Sequence, residues 1–224
     1  VGNMIVKDRI VHHAIMNIVE PIWDKLFIYD SYACRKDKGT HAGVSRTVEF
    51  LRRAQQTWGK VYCLKCDITK FFPSINHHRM LQVISQKIKC KDTLWLFERI
   101  IFNNTFDRND PESKNMPIGN LISQWGANLY LNVLDQYIKH YLKTKYYIRY
   151  MDDFLILDGD HKELHRLKRE ISLFLNNRLK LSLNAKSDIY PVNRGIDFLG
   201  YRIWHNNILL RKSSLIRATR RFKK

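Results

Sequence analysis

The stretch YIRYMDDFLIL at residues 147–157 places two adjacent carboxylates, Asp152 and Asp153, between two runs of apolar and aromatic residues. Runs of this kind are typical of short β-strands, and the Met-Asp-Asp between them predicts the turn of a hairpin. Two neighbouring carboxylates repel each other and add nothing to a core. Because turns commonly contain Asp, the hairpin by itself leaves a purely structural role for the pair open.

The charge of the chain narrows the classes of function. Lys and Arg number 39 against 21 Asp and Glu, which gives a formal charge of +18, and 45% of the residues are hydrophobic. This is enough apolar material for a core and too much positive charge for an ordinary small-molecule enzyme. A basic surface on a folded chain indicates binding to phosphate backbones, although a solvated basic face without a partner stays open as an alternative.

Two further patterns concern membranes and cysteines. No apolar run approaches the roughly 20 residues that span a bilayer, and the first ten residues do not resemble a signal peptide, so we expect a cytoplasmic protein with no membrane partner. The motif Cys63-x-x-Cys66 has no second pair of ligands that would complete a zinc site. We therefore interpret the four cysteines as reduced thiols of the core.

Asp67 stands at the end of another predicted strand. Side chains alternate along residues 61–66, so that Lys65 and Asp67 point to the face opposite Leu64. The Phe71-Phe72-Pro73 segment then breaks the strand. A single Asp at a strand end is most often a cap or turn residue, and its position alone gives it no function.

The remaining pattern predicts helices and two more strands. Apolar residues at helical spacing predict a helix that ends at Pro21, a second helix after Gly39-Thr40, a long amphipathic helix from Leu121 to Tyr141, and another helix after the hairpin. The last strands flank Asn206-Asn207. Together these elements predict an α+β fold with helices on one face of an antiparallel sheet.

Such a sheet can bring the end of the Asp67 strand beside the turn at Asp152 and Asp153. A cluster of carboxylates is costly unless divalent cations neutralise it, and Mg²⁺ prefers hard oxygen ligands that it shares with substrate phosphates. Two such ions about 4 Å apart stabilise the attacking and leaving oxygens of a phosphoryl displacement. We therefore predict that the three aspartates hold metal at a catalytic centre.

Four motifs follow one another along the chain, namely CDITKFF at 66–72, PIGNLISQ at 117–124, YMDDF at 150–154 and FLGY at 198–201. This order resembles the successive palm motifs of reverse transcriptases and covers nearly all of residues 1–212. More narrowly, DRIVHHAI, IYDSYACRKDKGTHAGV and PIGNLISQWGANLYLNVLD resemble the reverse transcriptases of diversity-generating retroelements from bacteria and their phages. The resemblance implies a right-hand polymerase, in which an antiparallel palm sheet is backed by helices.

The resemblance also implies a division of the chain, with the thumb missing or truncated. The expected parts are fingers at 1–60, the first part of the palm at 61–90, a connection between fingers and palm at 91–115, the rest of the palm at 116–197, and a primer-grip hairpin with the start of the thumb at 198–224. Within the last part, the primer grip is expected at Phe198, Leu199, Gly200 and Tyr201.

The resemblance implies a role for individual residues that match the family's motifs. Asp67 and Asp152 match the metal-binding aspartates, Asp153 matches their less directly involved neighbour, and the carbonyl of Ile68 matches a further metal ligand. The positions that match contacts to the incoming nucleotide or the nascent base pair are Ile68, Lys70, Phe71, Phe72, Ile118, Gly119 and Gln124. Phe72 would fill the space of a ribose 2′-hydroxyl and so favour deoxynucleotides.

Some of these assignments have open alternatives. For Phe72 and Ile118 a plain core role stays open as the less favoured alternative, because aromatic and Ile side chains are often buried for packing. Lys186 lies near the position of a palm lysine that could protonate pyrophosphate, but an exposed surface lysine is the better interpretation. Related reverse transcriptases commonly carry Gln in place of Ile118 and Pro in place of Gln124, and the resemblance links this loop to error-prone synthesis opposite template adenine.

We therefore expect an RNA-directed DNA polymerase that uses an RNA template, a DNA or RNA primer, dNTPs and two Mg²⁺ ions, for which Mn²⁺ can substitute. The narrower resemblance implies an error-prone, bacterial or phage-encoded enzyme of a diversity-generating retroelement, and it allows a small basic accessory protein as a partner. Two alternatives stay open: a group II intron or phage-defence reverse transcriptase, and a non-catalytic scaffold that binds RNA.

Overall fold

The computed structural model describes residues 6–102, 107–116 and 121–222. The chain divides into two compact units. The helical unit comprises Val1–Tyr29, Ile68–Tyr137 and Ile171–Leu183, and the sheet unit comprises Asp30–Asp67, Ile138–Glu170 and Asn184–Lys224. Within the described ranges, no helix is long and apolar enough to cross a bilayer.

The sheet unit contains four antiparallel strands in the order β2-β3-β1-β4. They are β1 Tyr62–Cys66, β2 Tyr146–Tyr150, β3 Asp153–Asp158 and β4 Asp188–Pro191. The predicted strand before Asp67 and the predicted hairpin around Asp152 are confirmed, whereas the sequence pattern gives no prediction for β4. Because β1 and β3 are antiparallel, with Cys66 opposite Phe154, the end of β1 and the β2–β3 turn lie at the same edge of the sheet.

Both faces of this sheet are buried along β2 and the centre of β3, whereas β4 is partly exposed. On one face Cys63 and Leu155 belong to a core cluster that includes residues of α2, Thr40–Trp58. On the other face Leu64 and Ile156 have no exposed surface. The predicted antiparallel sheet backed by helices is confirmed at the face that α2 covers, and the centre of β3 is buried at consecutive positions, as in strands that are covered on both sides. Each apolar side chain buried in this way contributes about 1.5–3 kcal/mol.

A second antiparallel sheet follows in the sheet unit, with β5 Ile196–Phe198, β6 Tyr201–Ile203 and β7 Ile208–Leu210, and α8 Lys212–Phe222 comes after it. The two strands predicted around Asn206-Asn207 are β6 and β7. Their turn is closed by a 2.8 Å hydrogen bond from the Trp204 amide to the Asn207 carbonyl. The β5–β6 turn is formed by Leu199 and Gly200, which both have positive φ.

The helical unit contains α1 Val6–Asp24, α3 Phe71–Ser74, α4 His77–Ser85, α5 Lys91–Phe102 and α6 Leu121–Gln136, which continues as a π-helical turn at Tyr137–Tyr141. Helix α6 packs against α1 and α4. The last helix, α7 His161–Phe174, is followed by a π-helical turn at Leu175–Leu179. Helix α7 begins in the sheet unit and ends in the helical unit.

Two helix predictions are wrong in detail. Helix α1 continues through Pro21 to Asp24, because Pro21 lies in the last turn and fully buried Trp23 packs against Phe97, with ring centroids 5.4 Å apart. Helix α6 is not amphipathic, since every residue at 125–132 is buried. A helix that is buried on all sides lies at the centre of its unit. The apolar residues that repeat every four positions along this helix are therefore only some of the residues that it buries.

The cysteines divide into two pairs. Cys63 and Cys66 are buried as predicted, and burial raises the pKa of both thiols to about 12. They stay protonated at neutral pH and are therefore poor metal ligands. Cys34 is half-buried and Cys90 is exposed, so the prediction of core thiols is wrong for these two residues.

Candidate active site

Three carboxylates meet at one edge of the four-stranded sheet. Asp67 directly follows β1, Asp152 lies in the β2–β3 turn, and Asp153 begins β3. One step beyond the Cys66–Phe154 pair, the next residues on the two strands are Asp67 and Asp153. The structure thus brings together the three aspartates that the sequence singles out, although most of the chain between residues 67 and 152 belongs to the helical unit.

The environment of Asp152 disfavours its negative charge. Burial raises the pKa of this carboxyl above its usual value, and the charge of Asp67 acts in the same direction. A hydrogen bond from its own backbone amide and the positive charges of Lys65 and Arg149 oppose the shift without cancelling it. A carboxylate in such a position gains from any added positive charge, including a divalent cation.

The donor atoms at this edge fit a magnesium ion that is shared with a substrate. In sites of phosphoryl transfer, Mg²⁺ is held by one or two carboxylates together with substrate phosphates and water. Among the described residues, no group of three or more His, Cys, Asp or Glu side chains is arranged to hold a metal ion by itself. Asp67 and Asp152 are therefore candidate ligands that need phosphate oxygens to complete the coordination shell.

Lys65 engages the third carboxylate. Its ammonium group forms an ion pair with Asp153, and the two side chains are 19% and 32% exposed. Burial lowers the pKa of Lys65 to about 8, although the negative charge of Asp67 acts against this shift. Sequence reasoning missed this lysine as a site residue. The alternation of side chains along the strand could have identified it, because this alternation places Lys65 on the same face as Asp67.

A loop before β4 fixes Asp67. The side-chain amide of Asn184 donates to Asp67 Oδ2 at 3.0 Å, and its backbone amide donates to the Asp67 carbonyl at 2.8 Å. Ser187 Oγ accepts from the Asp67 amide at 3.3 Å and donates to the Asp67 carbonyl at 3.4 Å. Residues 184–187 are called the Asp67 clamp below. Lys186, within it, is exposed, which agrees with its interpretation as a surface residue.

Arg149 supports the turn that carries Asp152. It is fully buried, and its guanidinium donates to the Met151 carbonyl at 3.0 Å and to Ser31 Oγ at 3.2 Å. Met151 has φ of 53°, a left-handed conformation that is sparsely populated by residues other than Gly. The buried arginine therefore holds a turn whose backbone needs support. Sequence reasoning missed it, although an Arg inside an otherwise apolar strand is unusual.

The residues that follow Asp67 lie in the helical unit. Ile68 has a buried side chain and forms an isolated bridge with Leu183. Lys70 is exposed and has a left-handed backbone with φ of 44°. Phe71 is buried, whereas Phe72 is half-buried, and their ring centroids are 5.4 Å apart. Phe72 therefore keeps an accessible surface that a plain core residue would not need, and its role at the nucleotide stays a prediction.

The segment before the PIGNLISQ motif is held against the end of α3 and the start of α4. The Met116 amide donates to the Phe72 carbonyl at 2.9 Å, and the Asn115 amide donates to the Ile75 carbonyl at 3.1 Å. Ile118 and Gly119 lie outside the described residues, so their predicted contacts are not placed. Gln124 is half-buried in the first turn of α6.

His77 fastens the same segment. Its Nε2 donates to the Asn115 carbonyl at 2.7 Å, which leaves Nδ1 to accept from Ser113 Oγ at 2.9 Å. In this neutral form both ring nitrogens have a hydrogen-bond partner. Burial lowers the pKa of His77 below its usual value, and the neighbouring His78 acts in the same direction.

The FLGY motif forms the turn between β5 and β6. Phe198 is buried at the end of β5, Leu199 and Gly200 have φ of 55° and 87°, and Tyr201 begins β6. The turn packs on α2, where a Cβ added at Gly43 would lie 2.7 Å from Leu199 Cδ1. A tight hairpin turn is thus present where the primer grip is predicted, and contact with a primer stays a prediction.

Comparison with known proteins gives a family match over most of the chain. The model described as "Reverse transcriptase (RNA-dependent DNA polymerase)" matches residues 1–203. Protein YkfC of Escherichia coli (strain K12) is 28% identical over 88% of this chain and 61% of its own length. The group II intron-encoded protein LtrA of Lactococcus lactis subsp. cremoris is 22% identical over 97% of this chain and 45% of its own length. The chain thus spans less than two thirds of these relatives.

Solved structures show the same fold at low sequence identity. Apo telomerase from Candida tropicalis aligns with 91% of this chain and 41% of its own chain, with a TM-score of 0.67 and 11% identity. Telomerase from Candida albicans in complex with a fragment of telomeric RNA aligns with a TM-score of 0.58 over 91% of this chain and 37% of its own, again at 11% identity. The likeness at this level of identity concerns the fold alone.

Proposed function

The chain belongs to the reverse transcriptase family, and on that basis we propose that it acts as an RNA-directed DNA polymerase. The observation that carries the proposal is the sheet edge at which Asp67 and the Asp152 turn lie side by side, each fixed by its own hydrogen bonds. Like charges gathered in this way repel each other, and a bound cation would relieve the repulsion. A carboxylate pair with this support suits transfer of a nucleotidyl group.

In the proposed reaction the 3′-hydroxyl oxygen of a primer attacks the α-phosphorus of a dNTP, and pyrophosphate leaves in line. Two divalent ions, Mg²⁺ or Mn²⁺, would supply charge stabilisation for the attacking and leaving oxygens. Asp67 and Asp152 would hold them, with the Ile68 carbonyl as a further ligand. The Asp67 clamp orients one carboxylate and Arg149 fixes the turn of the other, so that neither has to be reorganised when substrate binds.

The remaining site residues would position the substrates. Exposed Lys70 and the adjoining Phe71 backbone would approach the triphosphate, and Phe72 would lie under the sugar. The turn at Leu199 and Gly200 would hold the primer end. We place the fingers at 1–60 and the palm at 61–90 and 116–197. The net charge of +18 supports an RNA template and a DNA or RNA primer as partners, because phosphate neutralisation releases counterions.

The biological setting has two candidates. The motifs around residues 8–15, 28–44 and 117–135 favour an error-prone enzyme of a diversity-generating retroelement, with a small basic protein as an accessory partner. The relation to LtrA, which is named as a group II intron-encoded protein and aligns with nearly the whole chain, favours an intron reverse transcriptase. The two settings differ in fidelity, which can be measured.

The first experiment tests the activity itself through Asp152→Asn. Primer extension on an RNA template in Mg²⁺ should fall by more than about a hundredfold, because the variant loses a metal-binding charge worth several kcal/mol at the transition state. Asp37→Asn is the matched control, since Asp37 is exposed and has a left-handed backbone that Asn adopts readily. Equal activity in the two variants would show that Asp152 does not hold metal.

The second experiment separates the two settings through Ile118→Gln. A glutamine amide can hold the nascent base pair in register, and one hydrogen bond of about 1 kcal/mol corresponds to roughly fivefold in discrimination. In an enzyme that diversifies its template, the variant should misincorporate less opposite adenine than the parent does, with smaller changes opposite the other bases. Sequencing of cDNA from both proteins on one template decides this: accurate synthesis by the parent would favour the intron setting, and identical error spectra of the two proteins would refute the role assigned to Ile118.

A further inference from the structure

Lys65 is the cation built into the candidate active site. Its ammonium pairs with Asp153, and its charge also acts on Asp67 and Asp152. The side chain leaves β1 two residues before Asp67 and is 19% exposed. A lysine in this position is coupled to all three carboxylates at once.

The sheet determines where this charge lies. Lys65 is opposite Leu155 in the β1–β3 register, and Asp153 is two residues from Leu155 on the same face. The ammonium nitrogen also lies 5.2 Å from the centre of the Phe198 ring, at the end of β5. Strand pairing and this aromatic contact together hold the lysine beside Asp153.

A structural role alone does not account for a charged residue at this position. Replacing an ion pair that has lost much of its hydration with apolar residues of similar size is often neutral or stabilising, and Lys65 and Asp153 are both half-buried. The neighbouring members of this face, Cys63 and Leu155, are apolar and fully buried. An apolar residue at position 65 would continue their pattern, so the charge has another use.

We propose that Lys65 is a positioning residue that neutralises Asp153 and thereby lowers the affinity of the site for divalent ions until a triphosphate is bound. This inference rests on the proposed polymerase function and deepens it. With Lys65 paired to Asp153, the site presents the net charge of two carboxylates, Asp67 and Asp152. Binding a dication then depends on the added negative charge of the nucleotide, so that metal and nucleotide bind together.

The test measures metal binding without nucleotide, so it does not depend on activity. Mn²⁺ is titrated into the purified protein, and free Mn²⁺ is followed by its electron paramagnetic resonance signal. Lys65→Met keeps the length of the side chain and removes its charge, and it should bind Mn²⁺ about tenfold more tightly, the order expected for removing a unit charge near a dication. Lys65→Arg keeps the charge and should bind as the parent does.

Two further variants complete the cycle. Asp153→Asn removes one negative charge and should bind Mn²⁺ about tenfold more weakly. Lys65→Met combined with Asp153→Asn removes both charges, and it should return to the affinity of the parent. This pair of variants tests the same point if Lys65→Met alone fails to fold, because the double variant leaves neither group buried without a partner.

The possible results separate this inference from the proposed function. If Mn²⁺ binds the parent protein and is lost in Asp152→Asn, while Lys65→Met has unchanged or weaker affinity, the role of Lys65 is wrong and the metal site stands. The role is equally wrong if the double variant binds no better than Asp153→Asn. If Asp152→Asn binds Mn²⁺ as the parent does, with nucleotide and without it, the proposed function itself fails.

Discussion

Asn184→Asp removes the hydrogen bond that orients Asp67 while changing the size of the side chain very little. The amide of Asn184 donates to Asp67 Oδ2 at 3.0 Å, and its Oδ1 accepts from the Lys186 amide at 3.0 Å. An aspartate retains the acceptor and so keeps the local turn. It replaces the donor with a second negative charge directly beside Asp67.

The size of the effect follows from these contacts. Hydrogen bonds to charged groups contribute about 1.5–3 kcal/mol, and since 1.36 kcal/mol is tenfold in rate, losing the contact should lower kcat by about 10- to 150-fold. Loss of an outer partner of a metal ligand typically costs about 10- to 100-fold in activity or metal affinity, which agrees. Because the new carboxylate adds negative charge beside Asp67, the Mg²⁺ concentration at half-maximal activity should not rise, and the loss of kcat should persist at saturating Mg²⁺.

Single-nucleotide incorporation at several Mg²⁺ concentrations measures both quantities. Asn207→Asp is the matched control, because Asn207 is exposed in the β6–β7 turn. Activity within twofold of the parent at every Mg²⁺ concentration would refute the reasoning.

Two further predictions concern the rest of the fold. Gly159→Ala should destabilise the protein by about 1–3 kcal/mol, because its Cβ would lie 2.8 Å from the Cβ of Trp58. Gly43→Ala should destabilise it less, since only the end of the flexible Leu199 side chain must move. Denaturant midpoints of the two variants compare these effects. His77 has a lowered pKa in the folded state, so its contribution to stability is present above the unfolded value of 6.5 and is lost as the pH falls below it. Melting temperatures between pH 7.5 and 5 should therefore fall less steeply for His77→Gln than for the parent, and parallel curves would contradict the assignment.

Local patterns in the sequence were sufficient for the hairpin and for the strand before Asp67. Alternation and turn residues depend on neighbours within a few positions, and these elements are determined by such neighbours. The same patterns fail for α1 and α6, where contacts between distant segments decide. Pro21 is accommodated because Trp23 packs on Phe97, and the polar residues of α6 are buried because the helix is covered all round.

The supporting residues of the candidate site could not be predicted in the same way. Asn184 is 117 positions from Asp67, and Ser31 is 118 positions from Arg149. These contacts arise only when β4 has paired with β1, and when the chain at Ser31 has paired with β2. The sequence identifies the three candidate carboxylates, because their motifs are short and local. The positions of the residues that orient those carboxylates depend on the order of the strands in the sheet. The spacing of apolar residues within one segment does not determine that order.

The register of β1 against β3 connects the core to the candidate site. Cys63 lies opposite Leu157 and Lys65 lies opposite Leu155, so the apolar face of the sheet and the charged edge belong to one alignment. A slip of one residue would turn Lys65 and Asp67 to the other face and would expose or displace the apolar partners of that face. Burial of Cys63, Leu155 and Leu157 opposes the slip, since each side chain is almost fully buried. The packing that stabilises this sheet therefore also keeps Asp67 beside the Asp152 turn, and an apolar substitution on that face that shifts the register would impair the site without touching a carboxylate.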